Sequence, residues 1–322
     1  MSTLDLPLFE IKSIPGKGLA VVARINIVRG TRILCEKPLF KFRILEPPTL
    51  MEKLIAVELK KLAPVEQRQY LSLHNNFPGK HPFSGTFKTN ALPCGPDATL
   101  AGVYPTICRI NHSCTPNSKN TWNEETGFET IHATHFIRAG DEITIAYNIS
   151  HPHNIRRAQL RSTFGFDCTC ALCTRLLPEL QASDARRRRM EELDQAIGNP
   201  LRAELRPEES LTNCHILVQL IEQEYGTSTH ALVARAYYDA FQICILHGDQ
   251  ARARIFAENA YKTWLICEGE DSPDVRQTKA YSLDPTTHPT FEAISSKWRS
   301  GKDFPKGMDT QQFEKWLWRQ GK

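Results

Sequence analysis

Asn111-His112-Ser113-Cys114 is the stretch on which the reading of this chain turns. It gains meaning from two later segments, Gly140-Asp141-Glu142-Ile143-Thr144-Ile145-Ala146-Tyr147-Asn148 and Cys168-x-Cys170-x-x-Cys173. The second of these offers three thiolates in close succession. Zinc favours four tetrahedral ligands with Zn–S near ~2.3 Å, so a closed structural site lacks one partner. A thiol redox pair does not fit, because no βαβ pattern surrounds these cysteines. Asp141 and Glu142 read as a turn residue and a strand start rather than as an acid–base pair.

Composition sets the outer limits. A chain of 322 residues buries a real core and leaves room for two domains. A net charge of +4 carries no nucleic-acid prediction. Met1 to Phe9 lacks the pattern of a signal peptide, and no run of eighteen apolar residues occurs to span a membrane. Ten cysteines in 322 residues fall well below the roughly 8–10% of a disulfide scaffold. They favour a reducing compartment, cytoplasmic and/or nuclear, and metal ligation over disulfides. The single cysteines Cys35, Cys94, Cys108, Cys214, Cys244 and Cys267 are placed in the core as small hydrophobes.

Outward from the opening motif, Gly18 to Leu39 reads as strands. Leu19, Val21, Ala23 and Ile25 alternate as on a half-buried strand, Val28 to Thr31 is the turn, and Arg32 to Cys35 the returning strand. Thr49-x-x-Glu52 has the form of a capping box before an apolar helix face at Leu50, Leu54 and Val57. A second short helix follows Pro64, and His81 to Pro96 reads as loop. Strands are expected at Glu129–Ala133 and Glu142–Tyr147, with Arg138–Asp141 as the turn between them. A helix follows over Ile155–Phe164. Arg186 to Arg189 reads as a solvated helix face, with a nuclear import signal as the other reading. Gly198-Asn199-Pro200 breaks the pattern, and Ala231–Leu246 and Gln250–Cys267 form a helical hairpin. Gly248 suits the C-terminal cap of its first helix and Asp249 the N-cap of its second, which Gly269 and Pro273 stop. Ala253, Ala257 and Ala260 have the spacing of a tetratricopeptide helix, yet only one imperfect copy is found. An ordinary hairpin and a repeat-like module both fit.

The order of these motifs resembles the SET-domain protein lysine methyltransferases, and within them the SMYD-like branch. The carrying residues are Ile14-Pro15-Gly16-Lys17-Gly18-Leu19, Asn111-His112-Ser113-Cys114-x-Pro116-Asn117, Tyr147, Phe164-Gly165-Phe166 and the cysteine triplet. The resemblance spans Ile11 to Thr174. Arg43 to Lys88 holds no cysteine, so the MYND zinc finger of SMYD proteins is absent. The resemblance implies an α+β protein with a mainly-β SET domain of β-clip, pseudoknot form. A post-SET zinc site and a C-terminal helical, TPR-like or plain region would follow. The implied boundaries are a SET domain at 1–150 with a helical insert at about 48–75, a zinc-binding segment at 151–175, a helical linker at 176–205 and a helical domain at 206–322. Its pseudoknot threads the Asn111 segment past the Tyr147 strand, a rare arrangement in proteins generally.

The resemblance also implies roles. Lys17, Gly18, Asn90, Asn111, His112, Tyr147 and Phe166 would contact S-adenosylmethionine, with glycine permitting close backbone approach. Tyr147 would be the catalytic residue. Phe164 would line the channel for the substrate lysine, where the family often has tyrosine, and the missing hydroxyl bears on how many methyl groups are added. Cys114 would complete the Zn2+ site with Cys168, Cys170 and Cys173. The partner would be a protein substrate with a target lysine, with no membrane, no direct nucleic-acid contact, and a monomeric enzyme. The alternative is a catalytically silent SET and helical scaffold that binds protein partners.

Overall fold

The computed structural model describes residues 7–43, 47–95, 99–147, 152–226 and 231–320. Asn148 and the expected boundary at 150/151 lie outside them. Two compact units meet in sequence at Leu176/Leu177.

The first unit opens on a hairpin of β1 (Phe9–Ile14) and β2 (Gly18–Ala23), closed by the Lys17 N–H donating to the Ile14 carbonyl. Ala20, Val21, Val22 and Ala23 are all buried, whereas Leu19 and Ile25 are 45% and 38% exposed. The expected alternation is therefore wrong: β2 is buried on both faces and reads as a continuous apolar run. β3 (Arg32–Glu36) does not return beside β2. It pairs instead with β9 (Phe128–Ala133), the centre of a three-stranded antiparallel sheet completed by β8 (Ser118–Asn123). β4 (Lys41–Arg43), β5 (Leu92–Pro93) and β6 (Leu100–Gly102) form a second small sheet. The last pairing, β7 (Asn111–His112) with β10 (Thr144–Ile145), is parallel.

The helices of this unit depart from expectation in one consistent way. In α1 (Pro48–Lys61) no side chain caps the N-terminus, and Met51, Ile55 and Leu59 are the buried face. Leu50, Leu54 and Val57 lie outward, 44%, 36% and 50% exposed. Glu52 is not half of a capping box. Its carboxylate accepts from the N–H groups of Phe83 and Ser84, at 3.1 and 2.7 Å, at the start of another helix. That helix is α3 (Pro82–Asn90), where a loop was expected. Pro82 suits its first turn, and Glu52 supplies the anionic partner that the local sequence lacks. Between them α2 (Pro64–Leu71) follows Pro64 as expected. α4 (His153–Phe164) leads into the cysteine triplet.

The second unit is helical: α5 (Leu177–Ile197), α6 (Pro200–Leu205), α7 (Pro207–Tyr225), α8 (Ala231–Leu246), α9 (Gln250–Glu268), α10 (Pro273–Leu283) and α11 (Thr310–Leu317). The hairpin of α8 and α9 has the caps read from sequence. Gly248 has φ +83, and the Asp249 carboxylate accepts from the Arg252 N–H. Ala253, Ala257 and Ala260 are fully buried. The arginine run is not a wholly solvated face. Arg187 is buried and donates to the buried Glu224 at 2.7 Å, joined by Arg186 at 2.8 Å and by the Ser183 hydroxyl. Cys35, expected in the core, is exposed. No described helix is long and apolar enough to cross a membrane.

Glu129, on β9, is 1% exposed and accepts one hydrogen bond, from the Asn120 amide. Burial pushes its carboxyl up from 4.5 to about 7. The folded chain thus keeps a proton that the unfolded chain releases, and stability is lost as pH rises from 4.5 to 7. The loss is on the order of 3 kcal/mol. Glu129→Gln is expected to melt above wild type at pH 8, with the gap closing at pH 5. Equal melting differences at both pH values contradict this.

Candidate functional site

The parallel pair β7–β10 brings the two key motifs side by side, and side chains lock it. Asn117 accepts the Thr144 N–H at 2.7 Å and donates to the Glu142 carbonyl at 2.8 Å. The Ser113 N–H donates to the Ile145 carbonyl, and the Ser118 hydroxyl to the Thr144 carbonyl. The approach to β7 is held from behind: the Glu36 carboxylate accepts the N–H groups of Thr106 and Ile107 at 2.9–3.0 Å. Asn111, within β7, and Tyr147, just after β10, are thereby placed by a pairing held through the Asn117 and Ser118 side chains.

His112 stands at the centre. It is 6% exposed, and burial lowers its pKa to about 4. The Tyr147 N–H donates to Nδ1 at 3.0 Å, so the ring proton sits on Nε2, which lies 3.3 Å from Cys114 Sγ. The imidazole thus spans from the tyrosine backbone to a cysteine thiol. The Tyr147 hydroxyl donates to the Ile110 carbonyl at 2.7 Å. Burial holds this phenol well above its usual pKa, so it is a neutral hydroxyl at physiological pH rather than a phenolate base. Around it, Phe164 packs with ring centroids 4.7 Å away, His112 at 5.4 Å and Phe166 at 6.5 Å.

Gly165 makes that wall possible. Its φ is +70, and a Cβ there would collide with the Asn76 side-chain amide, which donates to the Thr163 carbonyl at 3.0 Å. A reversal between Phe164 and Phe166 in this space requires glycine.

Two of the expected cofactor residues, Lys17 and Asn111, meet at Glu142, which the sequence offered only as a strand start. Glu142 Oε1 accepts from Asn111 Nδ2 at 2.8 Å, and Oε2 pairs with Lys17 Nζ at 2.6 Å. The Asn111 amide nitrogen is held by this carboxylate and also donates to the Leu19 carbonyl at 3.4 Å. Gly16 and Gly18, with φ +75 and +73, border open space on the adjoining turn. Asn90 ends α3, its amide nitrogen committed to the carbonyls of His74 and Thr86 at 2.7 Å. Its backbone carbonyl accepts from the Cys108 thiol at 3.1 Å, and these contacts do not bring it to Asn111 or Lys17. No motif marked Glu142 in the sequence beyond its place after a Gly-Asp turn.

The sulfurs of Cys114, Cys168, Cys170 and Cys173 all lie within 4.8 Å of one another. Cys114 is 4.0 Å from Cys168 and 3.6 Å from Cys173. Four thiolates at ~2.3 Å from a tetrahedral zinc are separated by about 3.8 Å, so the donor set fits a zinc ion. Among the described residues this is the one cluster of such ligands.

The family described as SET domain matches residues 18–148. The Schizosaccharomyces pombe protein named histone-lysine N-methyltransferase set5 is 30% identical over 297 residues, 91% of this chain and 89% of that protein. Human SMYD4, a protein-lysine N-methyltransferase, is 37% identical over 78 residues, 22% of this chain and 9% of that protein. Among solved structures, Rubisco LSMT bound to AdoMet is 14% identical with a TM-score of 0.35, covering 88% of each chain.

Removing the carboxylate that gathers Asn111 and Lys17 should loosen the cofactor site. Glu142→Ala is expected to weaken S-adenosylmethionine binding roughly 3- to 30-fold by calorimetry. Lys17→Ala, which removes the more exposed side of the pair, is expected to do less. An unchanged dissociation constant for Glu142→Ala contradicts the role given to this acid.

Proposed function

Since the chain belongs to the SET-domain family of lysine methyltransferases, we propose that it moves a methyl group from S-adenosylmethionine to the side-chain amine of a lysine in a histone or non-histone protein. The observation that carries this reading is the half-buried Tyr147, its hydroxyl tethered to the Ile110 carbonyl inside a ring of Phe164, Phe166 and His112. The substrate class named for the S. pombe relative supports a histone as the first protein to test.

When bound, S-adenosylmethionine supplies a methyl group already activated on a sulfonium. The residues of the chain are left with holding, aligning and desolvating. Lys17, Gly18, Asn90, Asn111 and His112 are the proposed cofactor contacts. Open space beside Gly16 and Gly18, the polarised Asn111 amide and the aromatic Phe166 fit a nucleoside with an amino-acid tail. The lysine must arrive neutral. With a reference pKa near ~10.4, releasing its proton at pH 7 costs about 4.6 kcal/mol. The apolar wall of Phe164 and Tyr147 reduces that cost, because desolvation disfavours the ammonium. Holding the amine in line with the methyl group contributes roughly 7–11 kcal/mol. Tyr147 is the proposed catalytic residue: its proton is committed to Ile110, so its oxygen offers lone pairs to the reacting groups.

Cys114, Cys168, Cys170 and Cys173 would hold Zn2+, whose binding energy is folding energy for the segment carrying Phe164 and Phe166. In this proposal residues 1–150 and 151–175 form the catalytic and zinc-binding parts, 176–205 a helical linker, and 206–322 a helical domain. The enzyme is proposed to act as a monomer in cytoplasm and/or nucleus, without binding nucleic acid directly.

The test is methyl transfer from labelled cofactor into histones and into a whole-proteome extract, read by mass spectrometry. Wild type is expected to label lysines. Tyr147→Phe is expected to lose at least a hundredfold in rate while binding S-adenosylmethionine within a few-fold of wild type. A wild-type protein that fails to bind the cofactor sinks the reading.

A further inference from the structure

Among the described residues Arg156 is, with Arg187, one of the two largest fully buried side chains, with 0% of its surface exposed. It lies on α4 four residues before Leu160, and residues so spaced share one helix face. Leu160 is also fully buried and packs with Cys114, Cys168 and Leu172. The shared face therefore turns Arg156 toward the thiol cluster, with Cys114 and Cys173 as neighbours of its guanidinium.

A guanidinium keeps its charge in any protein environment. Buried without an opposing charge it costs several kcal/mol. Four thiolates around a divalent ion carry a net charge of 2−. A buried guanidinium facing such a cluster offsets part of that charge. His112 adds a second donor, its Nε2–H facing Cys114 Sγ at 3.3 Å.

We propose that Arg156 is the built-in counter-cation of the four-cysteine centre, offsetting one of its two negative charges and so retaining the metal. This rests on the zinc reading given above. It makes Arg156 a positioning residue that acts through Cys114 and Cys173. It also gives α4 a purpose beyond linking Tyr147 to the cysteines, since one helix carries both the counter-charge and, at its end, Phe164.

The experiment follows zinc release from the full-length chain to a chromogenic chelator, after metal content is measured by mass spectrometry. Wild type purified without bound metal sinks the zinc reading itself, before any variant is compared. With one zinc per chain in wild type, Arg156→Met and Arg156→Gln are expected to release metal at least tenfold faster, the scale on which partners of metal ligands act. Arg156→Lys keeps the charge and is expected to stay within about threefold. Cobalt-loaded protein gives a reading free of catalysis: sulfur-to-metal charge-transfer bands should shift in Arg156→Met and remain near wild type in Arg156→Lys. If Arg156→Met cannot be isolated folded, the Arg156→Lys comparison still decides. Metal retention in Arg156→Met equal to wild type, or Arg156→Lys losing metal tenfold faster than wild type, overturns the proposal.

Discussion

The imidazole of His112 is the constraint on which the site depends. One nitrogen accepts the Tyr147 N–H, and the other faces Cys114 Sγ. Both contacts need a neutral ring with its proton on Nε2, and burial, which lowers the pKa to about 4, supplies that state. Through this ring the backbone that aims Tyr147 and the thiol cluster that orders the following segment share one geometry. Phe164 and Phe166, delivered by that segment, close on Tyr147 from the other side.

Charge is handled in the same economical way around this centre. Glu142 meets Lys17 and the Asn111 amide on the side expected to bind cofactor. Arg156 meets Cys114 and Cys173 on the side expected to bind metal. The tyrosine between them is flanked by rings and a backbone carbonyl. An apolar wall flanked by paired polar groups suits a reaction in which a lysine must lose its proton before it reacts.

Much of this was legible because the motifs are local. Asn111 to Cys114, the Tyr147 segment and the cysteine triplet are short strings whose spacing survives folding. The caps at Gly248 and Asp249 were likewise readable, since a cap depends on its own few residues. The failures share a non-local cause. Glu52 fits a capping box by spacing, but tertiary packing spends its carboxylate on α3, whose own N-terminus has no side-chain cap. The same exchange hid α3 behind a Pro- and Gly-rich stretch. β2 is covered on both faces, so its two-residue period vanishes. Arg187 lies in a run of four arginines that looks solvated, and only Glu224, on another helix, shows that one of them is buried. Glu142 reads as a strand start and Arg156 carries no reading at all, because a charged side chain gives no signal until its partners are known.

The central claim is that the cofactor and metal sites are one structure joined through Asn111–Cys114. The direct measurement is S-adenosylmethionine affinity, by calorimetry, on a single preparation before zinc removal, after it, and after zinc is restored. The account predicts at least a tenfold loss of affinity on removal and recovery on restoration. An affinity unchanged by removal of the metal would contradict it.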